Sequence, residues 1–389
     1  MGFFCGDRHT LIMDTIYLVV PYSTESIVSH RARRLTQDLA GEFELSTFYN
    51  SKRGWRRWIE IAREIRHSRP MLIYAFKPDK WALFAFLLGR MIGARLMLDT
   101  GDLRYALARA RGAGIIACWT ERLFEVATQR LADAITVRGT EHRLYLESHG
   151  YRHVFVIPDG VDPIHSHYRQ DPALRRAVVG DGDLVTVGVM GTANWSPKRE
   201  MCYGWELVEV LSLLRDLPFF GIMIGDGSGL PHLKRRADAL GVRDRITFLG
   251  RLPYEEIPTY VSLMDIALST QTNDLVGQVR TTGKLPEYLA CGRYILASRV
   301  GEAKFVLPEE MLVPYEGAGR DDGYPARLAQ RIRDLVQHRE RLELGNIGPG
   351  IVAERFCYQG LSRKIRCIVE GLLGKKRCLH LSIGSSTPT

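Results

Sequence analysis

A short run of residues around position 285 combines two cations and a carboxylate with the signals of a tightly bounded helix. Pro286 suits only the first turn of a helix and Gly292 fits the position after a helix end, so a helix is predicted to begin near residue 284 and to stop by Gly292. Arg280 and Lys284 flank its N-terminus, where unpaired amides favour an anion such as phosphate. Glu287, one turn further on, is placed to accept a hydrogen bond from a sugar hydroxyl beside that phosphate. The alternative is an ordinary amphipathic helix with solvated basic residues.

Another candidate phosphate site follows a predicted strand in the second half of the chain. Gly191 permits close approach of a phosphate to the backbone, Lys198 offers positive charge, and a helix is predicted to begin near Arg199. The glycines from Gly225 to Gly229 are spaced G-x-G-x-G, which does not meet the G-x-G-x-x-G pattern of dinucleotide sites.

Polar groups also follow two predicted strands in the first half. A carboxylate at Asp99 or Asp102 could orient an acceptor hydroxyl or receive its proton, and the functional candidate is Asp102. The alternative is that either aspartate caps the following helix. His30 is the second candidate on the acceptor side, with a solvated surface histidine as its alternative.

The elements that position these groups form a repeating pattern of short apolar runs and helical segments. Such alternation predicts βαβ units and an α/β fold with doubly wound parallel sheets, whose ligands bind beyond the carboxyl ends of the strands. Two Rossmann-like domains are predicted, at residues 14–165 and 183–355, facing one another across a cleft, with a basic amphipathic helix at 359–377. The predicted strands cover 16–20, 43–48, 71–75, 95–99, 134–137, 154–157, 184–190, 219–224, 246–249, 265–269, 294–297 and 311–313.

Length and composition suit this two-domain arrangement. The chain has 389 residues, of which 46% are hydrophobic and 25% charged, a globular profile. Its net charge of +9 and pI near 9.2 favour anionic partners without choosing among nucleotides, acidic membranes and nucleic acid. Seven scattered cysteines without metal-like spacing favour reduced thiols in the cytoplasm, and residues 1–13 lack the apolar core of a signal peptide. The apolar run 81–98 is too short and too charged to span a bilayer, so a buried helix followed by a strand is predicted.

Residues 51–69 place six arginines and one lysine around two tryptophans. On a helix, Trp58, Ile61 and Ile65 would form an apolar stripe with arginines beside it, which suits an anionic membrane surface. The equally weighted alternative is a helix that faces the core and has a basic outer surface. No DNA- or RNA-binding motif accompanies these residues, so no nucleic-acid partner is predicted.

Two short patterns have the spacing of some metal ligands, and neither is interpreted in that way. His165-x-His167 has no partner nearby in the sequence to complete a site, so a solvated loop is predicted. Asp181-Gly-Asp183 directly precedes a strand, where a turn is the better interpretation.

Five segments of the second half resemble, in order and spacing, the donor domain of GT-B glycosyltransferases of family 4, the glycosyl transferases group 1. The first half resembles that family more loosely, through residues 99–103 and 157–162. The five segments are Ile224-Gly-Asp-Gly-Ser-Gly-Leu230, Leu240-Gly-Val-Arg-Asp-Arg-Ile-Thr-Phe-Leu-Gly250, Glu256-Ile-Pro-Thr-Tyr260, Asp265-Ile-Ala-Leu-Ser269 and Lys284-Leu-Pro-Glu-Tyr-Leu-Ala-Cys-Gly292.

The resemblance implies a nucleotide-sugar donor on the second domain, an acceptor on the first, retention of anomeric configuration and no metal or cofactor. Glu287 would hold the donor ribose, and the backbone near Arg251 and Leu252 would face the base. The last helix would cross back to the first domain. Taken together, the predicted donor-site residues are Gly191, Lys198, Arg251, Leu252, Arg280, Lys284, Leu285 and Glu287, and the predicted catalytic ones are Asp102, Arg280 and Lys284.

The chain also departs from the family. Val279 occupies the position of a second glutamate that meets the sugar in many members, and Asp274 or Gln278 are candidates to replace it. The glycine-rich turn that often follows the first strand is absent here, where Tyr22-Ser-Thr-Glu25 stands instead.

The leading expectation is a retaining hexosyltransferase of polysaccharide or glycoconjugate biosynthesis, in the cytoplasm or at the inner membrane face, with a glycan or lipid-linked acceptor. A nucleotide-sugar epimerase of the same architecture and a catalytically silent nucleotide-sugar-binding membrane adapter are the alternatives.

Overall fold

A computed structural model describes residues 14–49 and 54–375. The predicted absence of a signal peptide concerns residues 1–13, which lie outside them. Within the described part of the chain, no helix is long and apolar enough to cross a membrane.

The first sheet has six strands in the order β2-β1-β3-β4-β5-β6. The pairs that β1 forms with β2 and β3, and β3 with β4, are parallel. All six residues of β1 are buried, as its uninterrupted apolar run predicts for a central parallel strand. Its strands are β1 (Thr15–Val20), β2 (Glu44–Tyr49), β3 (Leu72–Ala75), β4 (Arg95–Thr100), β5 (Ala134–Val137) and β6 (Val154–Val156).

Six helices alternate with these strands and a seventh follows them. The predicted helix and strand of the apolar run 81–98 are confirmed as α3 and β4, and the Asp79 carboxylate caps α3 by accepting from the amides of Trp81 and Ala82. The helices are α1 (Ile27–Thr36), α2 (Arg56–Ser68), α3 (Lys80–Met91), α4 (Arg104–Ala110), α5 (Ile115–Leu131), α6 (Thr140–Ser148) and α7 (Pro172–Val179).

The basic, tryptophan-containing helix is α2, and residues 51–53 of the predicted segment lie outside the described residues. The Trp58 ring lies 4.5 Å from that of Trp81 and 4.9 Å from that of Phe84, and Ile61 and Ile65 are buried in the same core. The apolar stripe of α2 therefore faces the protein core. The membrane-surface interpretation of this stripe is wrong, because its apolar area is already covered.

The second sheet also has six strands, in the order β12-β11-β10-β7-β8-β9, and its described pairs are parallel. The predicted α/β fold with two doubly wound sheets is confirmed. The strands are β7 (Val185–Met190), β8 (Phe219–Ile224), β9 (Ile246–Gly250), β10 (Ile266–Ser269), β11 (Tyr294–Ser298) and β12 (Leu312–Val313).

Nine further helices accompany this sheet in the described chain. The helix predicted from Arg199 instead begins at Trp205, because residues 196–201 fold back in a turn and Gly204 leads into the helix with a φ of +94°. The helices are α8 (Trp205–Leu213), α9 (Leu230–Ala239), α10 (Ile257–Val261), α11 (Leu275–Val279), α12 (Lys284–Ala290), α13 (Ala303–Val306), α14 (Tyr324–Gln337), α15 (Gly348–Ile351) and α16 (Tyr358–Leu372).

The described chain divides into two compact units. The first comprises the residues up to Thr100, Leu123–Thr136 and those from Ser362 onward, and the second comprises Gly101–Arg122 and Val137–Leu361. The predicted terminal helix is α16, most of which belongs to the first unit; residues 376 and 377 of the prediction lie outside the described residues. The predicted domain limits remain predictions.

Candidate functional site

Helix α12 has the limits that its sequence predicts. It begins at Lys284, and Gly292 follows its C-terminal cap with a φ of +61°, a left-handed conformation that glycine adopts without strain. Leu285 is buried in the core, so its side chain serves packing rather than donor contact. The side chains of this helix that remain for binding are Lys284 and Glu287.

The Lys284 amine lies in a confined position against an aromatic ring. Its Nζ is 3.2 Å from the centre of the Tyr203 ring, which favours a cation. A methyl group added at Gly191 would lie 3.5 Å from the same Nζ, so the amine adjoins the backbone at the end of β7. Burial, reinforced by the positive charge of Arg280, lowers the pKa of Lys284 to about 7, and Glu206 opposes that shift.

Glu206, in the first turn of α8, is the carboxylate that acts on Lys284. Its side chain is almost completely buried, and burial raises its pKa to about 7 while the charge of Lys284 lowers it. The pKa of a buried acid and the pKa of a half-buried base are thus both shifted toward neutral pH. Each favours the charged form of the other, so they are best treated as one coupled pair.

Glycines bring the loops after β7, β8 and β9 into contact. The Gly191 amide donates to the Ile224 carbonyl at 2.9 Å, and the Gly225 amide donates to the Gly250 carbonyl at 2.7 Å. Gly225 has a φ of +125°, and a side chain there would overlap the Gly191 carbonyl oxygen. Only glycine therefore allows this approach, which holds the Gly191 backbone beside Lys284.

The Glu287 carboxylate is buried and half satisfied. Its Oε1 accepts a hydrogen bond from the Tyr254 hydroxyl at 3.1 Å, while its Oε2 makes no hydrogen bond to any described residue. Burial raises the pKa of Glu287, and the neighbouring Ser166 and Tyr254 hydroxyls oppose that shift. The buried Ser166 hydroxyl lies close enough to lower the Glu287 pKa, but with no described residue does it reach the geometry of a hydrogen bond. Two buried polar atoms with spare hydrogen-bonding capacity thus lie together, as a hydroxyl-rich ligand requires.

Sequence reasoning missed most of the groups around these two side chains. The His165 ring stacks on Tyr254 with centroids 4.8 Å apart, so the predicted solvated loop packs beside Glu287 instead. In the sequence, the His165-x-His167 pair resembles only a metal-binding pattern and does not indicate a contact with Tyr254. Tyr203 and Tyr254 carried no signal, because they reach the site from segments far away in the sequence.

Two residues predicted to be catalytic form an ion pair. The Arg280 Nε lies 3.4 Å from the Asp102 Oδ1, and the guanidinium is about half exposed. Asp99 has a different role, because it pairs with the buried Arg31 at 2.9 Å and accepts from Thr136 at 3.0 Å. Asp99 is thus held in a buried network, whereas the Asp102 side chain is partly exposed, and the catalytic role of Asp102 remains a prediction.

Asp274 and Gln278, the candidates to replace the missing glutamate, already bond to other residues. Val279 is buried. Asp274 caps α11 through the Gly277 amide and pairs with Arg199 at 2.5 Å. Gln278 donates to the Asn273 side chain and accepts from the Gly301 amide. Neither Asp274 nor Gln278 has the free carboxylate or amide that a sugar contact needs.

The remaining predicted residues contribute less in this structure. Lys198 is exposed in the turn before α8, and the helix N-terminus predicted beside it is absent, which removes the reason for a phosphate there. Arg251 is exposed and Leu252 half-buried directly after β9. His30 lies on α1 in the first unit, where partial burial and the charges of Arg34 and Arg33 lower its pKa.

Metal ligation finds no support among the described residues, which hold no group of three or more His, Cys, Asp or Glu side chains at metal-binding distance. Asp181 pairs with Arg176 at 2.8 Å, and Asp183 pairs with Arg339 at 2.6 Å. These aspartates lie in surface ion pairs just before β7.

Comparison with protein families gives a match over the sheet that carries Lys284 and Glu287. Residues 186–338 match the model described as "Glycosyl transferases group 1". These residues are thus similar to the group 1 glycosyltransferases, the family that the sequence resembles, over a stretch that is less than half of the chain.

Curated relatives of this family are distant. A 2-deoxystreptamine glucosyltransferase of Streptomyces kanamyceticus is 26% identical over 215 residues, covering 52% of this chain and 46% of the relative. A 2-deoxystreptamine N-acetyl-D-glucosaminyltransferase of Streptomyces fradiae is 25% identical over 122 residues, covering 31% of this chain and 26% of the relative. The chain thus spans half or less of the length of these relatives.

Solved glycosyltransferase structures share the fold over nearly the whole chain. Anabaena HepE in complex with UDP-glucose aligns with a TM-score of 0.71 at 15% identity, covering 92% of this chain and 99% of that one. Sucrose-phosphate synthase from Thermosynechococcus elongatus aligns with a TM-score of 0.70 at 16% identity, covering 93% and 99%. At such identities the similarity establishes the predicted GT-B fold.

Proposed function

We propose that this protein is a retaining glycosyltransferase that moves a hexose from a nucleoside-diphosphate sugar to an acceptor hydroxyl in polysaccharide or glycoconjugate biosynthesis. The single observation that carries the proposal is the buried Glu287 Oε2, left without a hydrogen bond one turn away from a lysine held against backbone. A carboxylate oxygen suits a sugar hydroxyl, and an ammonium group suits a diphosphate. The complexes with UDP and with UDP-glucose among the structural neighbours support the same class of donor.

In the proposed donor complex, the ribose hydroxyl groups donate to Glu287 Oε2. The diphosphate lies between the Lys284 amine and the Gly191 backbone, and the base meets the backbone near Arg251 and Leu252. Burial of Glu287 strengthens its hydrogen bond to the ribose, because little water competes there.

The proposed chemistry depends on stabilising the charge that develops on the leaving diphosphate. Lys284 and Arg280 supply positive charge for that purpose, so we propose that the enzyme needs no metal or other cofactor. Arg280 turns from Asp102 to the diphosphate, and the Asp102 carboxylate accepts a hydrogen bond from the acceptor hydroxyl. Activity should then survive treatment with EDTA, and loss of activity that Mg²⁺ restores would contradict this part.

Donor turnover with and without an acceptor tests the proposal. The purified protein is incubated with a panel of nucleoside-diphosphate hexoses, first alone and then with glycan or lipid-linked acceptors, and products are identified by NMR. Transfer with the donor's anomeric configuration supports the proposal. Isomerised donor without acceptor would indicate an epimerase, and binding without any turnover would indicate a silent adapter.

Glu287→Gln and Lys284→Met are the informative variants in this assay. Lys234→Met is a matched control, because Lys234 is an exposed lysine on α9. Both site variants should lose donor affinity or turnover, and the control should keep both. Unchanged donor affinity and rate in both site variants would place the donor elsewhere.

A further inference from the structure

A surface on α4 and the start of α5 exposes large apolar side chains. Ile115 is 78% exposed, Ile116 84% and Trp119 61%. Residues one and four positions apart lie within about a third of a turn of each other on a helix, so the three side chains share one face of α5. Isolated apolar residues on a surface are ordinary, whereas a contiguous group of three large ones marks a site of interaction.

Arginines surround this apolar face. Residues 103–122 contain four arginines and one carboxylate, Glu121, which gives the segment a net charge of +3 (four minus one). The Glu121 carboxylate accepts two hydrogen bonds from the Arg104 guanidinium, at 2.8 and 2.7 Å. Arg109, Arg111 and Arg122 are exposed. The positive charge of the segment is therefore presented to the solvent.

Trp119 and Arg122 are arranged as side chains are at a membrane interface. The Arg122 guanidinium lies 6.0 Å from the Trp119 ring and 5.2 Å from the Tyr105 ring. A tryptophan ring prefers the boundary between apolar chains and polar headgroups, and an arginine beside it can reach the phosphates. An apolar face rimmed by arginines is the composition of helices that lie in an anionic lipid surface.

We propose that the α4–α5 surface, defined as Arg109, Arg111, Ile115, Ile116, Trp119 and Arg122, binds the protein to an anionic lipid bilayer. The apolar side chains enter the boundary between headgroups and acyl chains, and the three arginines contact lipid phosphates. This inference goes beyond the proposed function, since a transferase with a water-soluble acceptor needs no such surface. It also replaces the stripe of α2, which is buried, as the membrane contact of this protein.

The position of the surface in the chain fits an acceptor carried by a lipid. Helix α4 begins at Arg104, two residues after Asp102, the carboxylate proposed to meet the acceptor hydroxyl. A bilayer bound by α4 and α5 would therefore present lipid-linked molecules to the same segment that carries Asp102.

Vesicle flotation of the full-length protein tests the proposal. Vesicles of phosphatidylcholine alone are compared with vesicles that contain roughly a third phosphatidylglycerol, at low and at high salt. Wild-type protein should float with the anionic vesicles at low salt and largely release them at high salt. Each arginine removed should weaken binding roughly fivefold.

Two sets of variants locate the contact. Ile116→Ser with Trp119→Ser, and Arg109→Ala with Arg111→Ala, should each reduce flotation at least tenfold. Trp55→Ser is a matched control, because Trp55 is 67% exposed directly before α2, the competing basic helix. Retained thermal stability and nucleotide affinity show that each variant is folded.

Three results would overturn the proposal: wild-type protein that ignores anionic vesicles, α4–α5 variants that float like wild type, and a loss of binding confined to α2 variants. Light scattering that shows a dimer dissociated by the Ile116 and Trp119 changes, without vesicle binding, would assign the face to a second copy of the chain. Donor affinity is measured separately, so a failure of this inference leaves the proposed function standing, and the reverse also holds.

Discussion

Donor affinity should fall as the pH rises through neutrality, because the Lys284 amine must carry a proton to attract a diphosphate. Burial lowers the pKa of this lysine to about 7. If only the ammonium form binds, the apparent dissociation constant grows with the factor 1 + 10^(pH − pKa), so affinity should fall roughly fivefold from pH 7 to 8 and about ninefold from pH 8 to 9. The bound diphosphate stabilises the ammonium, so binding takes up protons above neutral pH.

Titration calorimetry with a nucleoside-diphosphate sugar measures this profile between about pH 6 and pH 9. The sugar ester is preferable to the free nucleoside diphosphate, whose terminal phosphate has a proton of its own to lose. Repeating the titration in buffers of different ionisation enthalpy reports proton uptake directly.

Variants separate Lys284 from other causes of a pH effect. Lys284→Arg should bind almost independently of pH, because the guanidinium stays charged. Glu206→Gln should move the decline to lower pH, because the Glu206 carboxylate favours the lysine's charged form. The exposed Lys234→Met control should reproduce the wild-type curve. A flat wild-type profile, or a Lys284→Arg profile that keeps the wild-type slope, would refute the reasoning.

Three further predictions concern the same unit. Glu287→Gln should weaken donor binding about tenfold or more, because the charge-assisted bond to the ribose is lost, and equal affinity by calorimetry would contradict this. Val279→Glu, which restores the family's usual residue type, should lower the free energy of unfolding by several kcal/mol, since this side chain is buried; an unchanged urea midpoint would show that the position can open. Gly225→Ala should push the Gly191 carbonyl aside and reduce donor affinity, while retained affinity with unchanged melting temperature would show that the loops tolerate a methyl group.

The fold was predictable because its signals are local. Most strands of the two sheets are short apolar runs, and the limits of α12 follow from Pro286 and Gly292, which lie within two turns of one another. The start of α8 was not predictable in this way. A helix was predicted to begin near Arg199, but residues 196–201 form a turn and Gly204 adopts a left-handed conformation, so the helix begins at Trp205. The phosphate site predicted at Lys198 therefore has no helix N-terminus beside it.

Only those residues of the candidate site that lie on one helix were predictable from the sequence. Lys284 and Glu287 lie on a single helix at a spacing that the sequence shows directly. Glu206 reaches Lys284 from another helix, and Tyr254 reaches Glu287 from a turn 33 residues earlier. These contacts join residues that are far apart in the sequence. They depend on the order of the strands in the sheet, which no single segment of the sequence reveals. The pKa values near 7 depend on burial by these same distant segments.

The coupled pair of Glu206 and Lys284 also suggests why the site tolerates a half-buried base. Each partner lowers the cost of charging the other, and a bound diphosphate would add a further negative charge beside the lysine. Donor binding would then favour the protonated form of Lys284. The positive charge of the ammonium group is therefore already present when the diphosphate leaves.

A crystal structure of the full-length protein with an intact nucleoside-diphosphate hexose tests the central claim most directly. The account predicts a ribose hydroxyl within hydrogen-bonding distance of the Glu287 Oε2 and a diphosphate oxygen within reach of the Lys284 Nζ, beside Gly191. A nucleotide bound elsewhere, or one whose ribose faces away from Glu287, would contradict it.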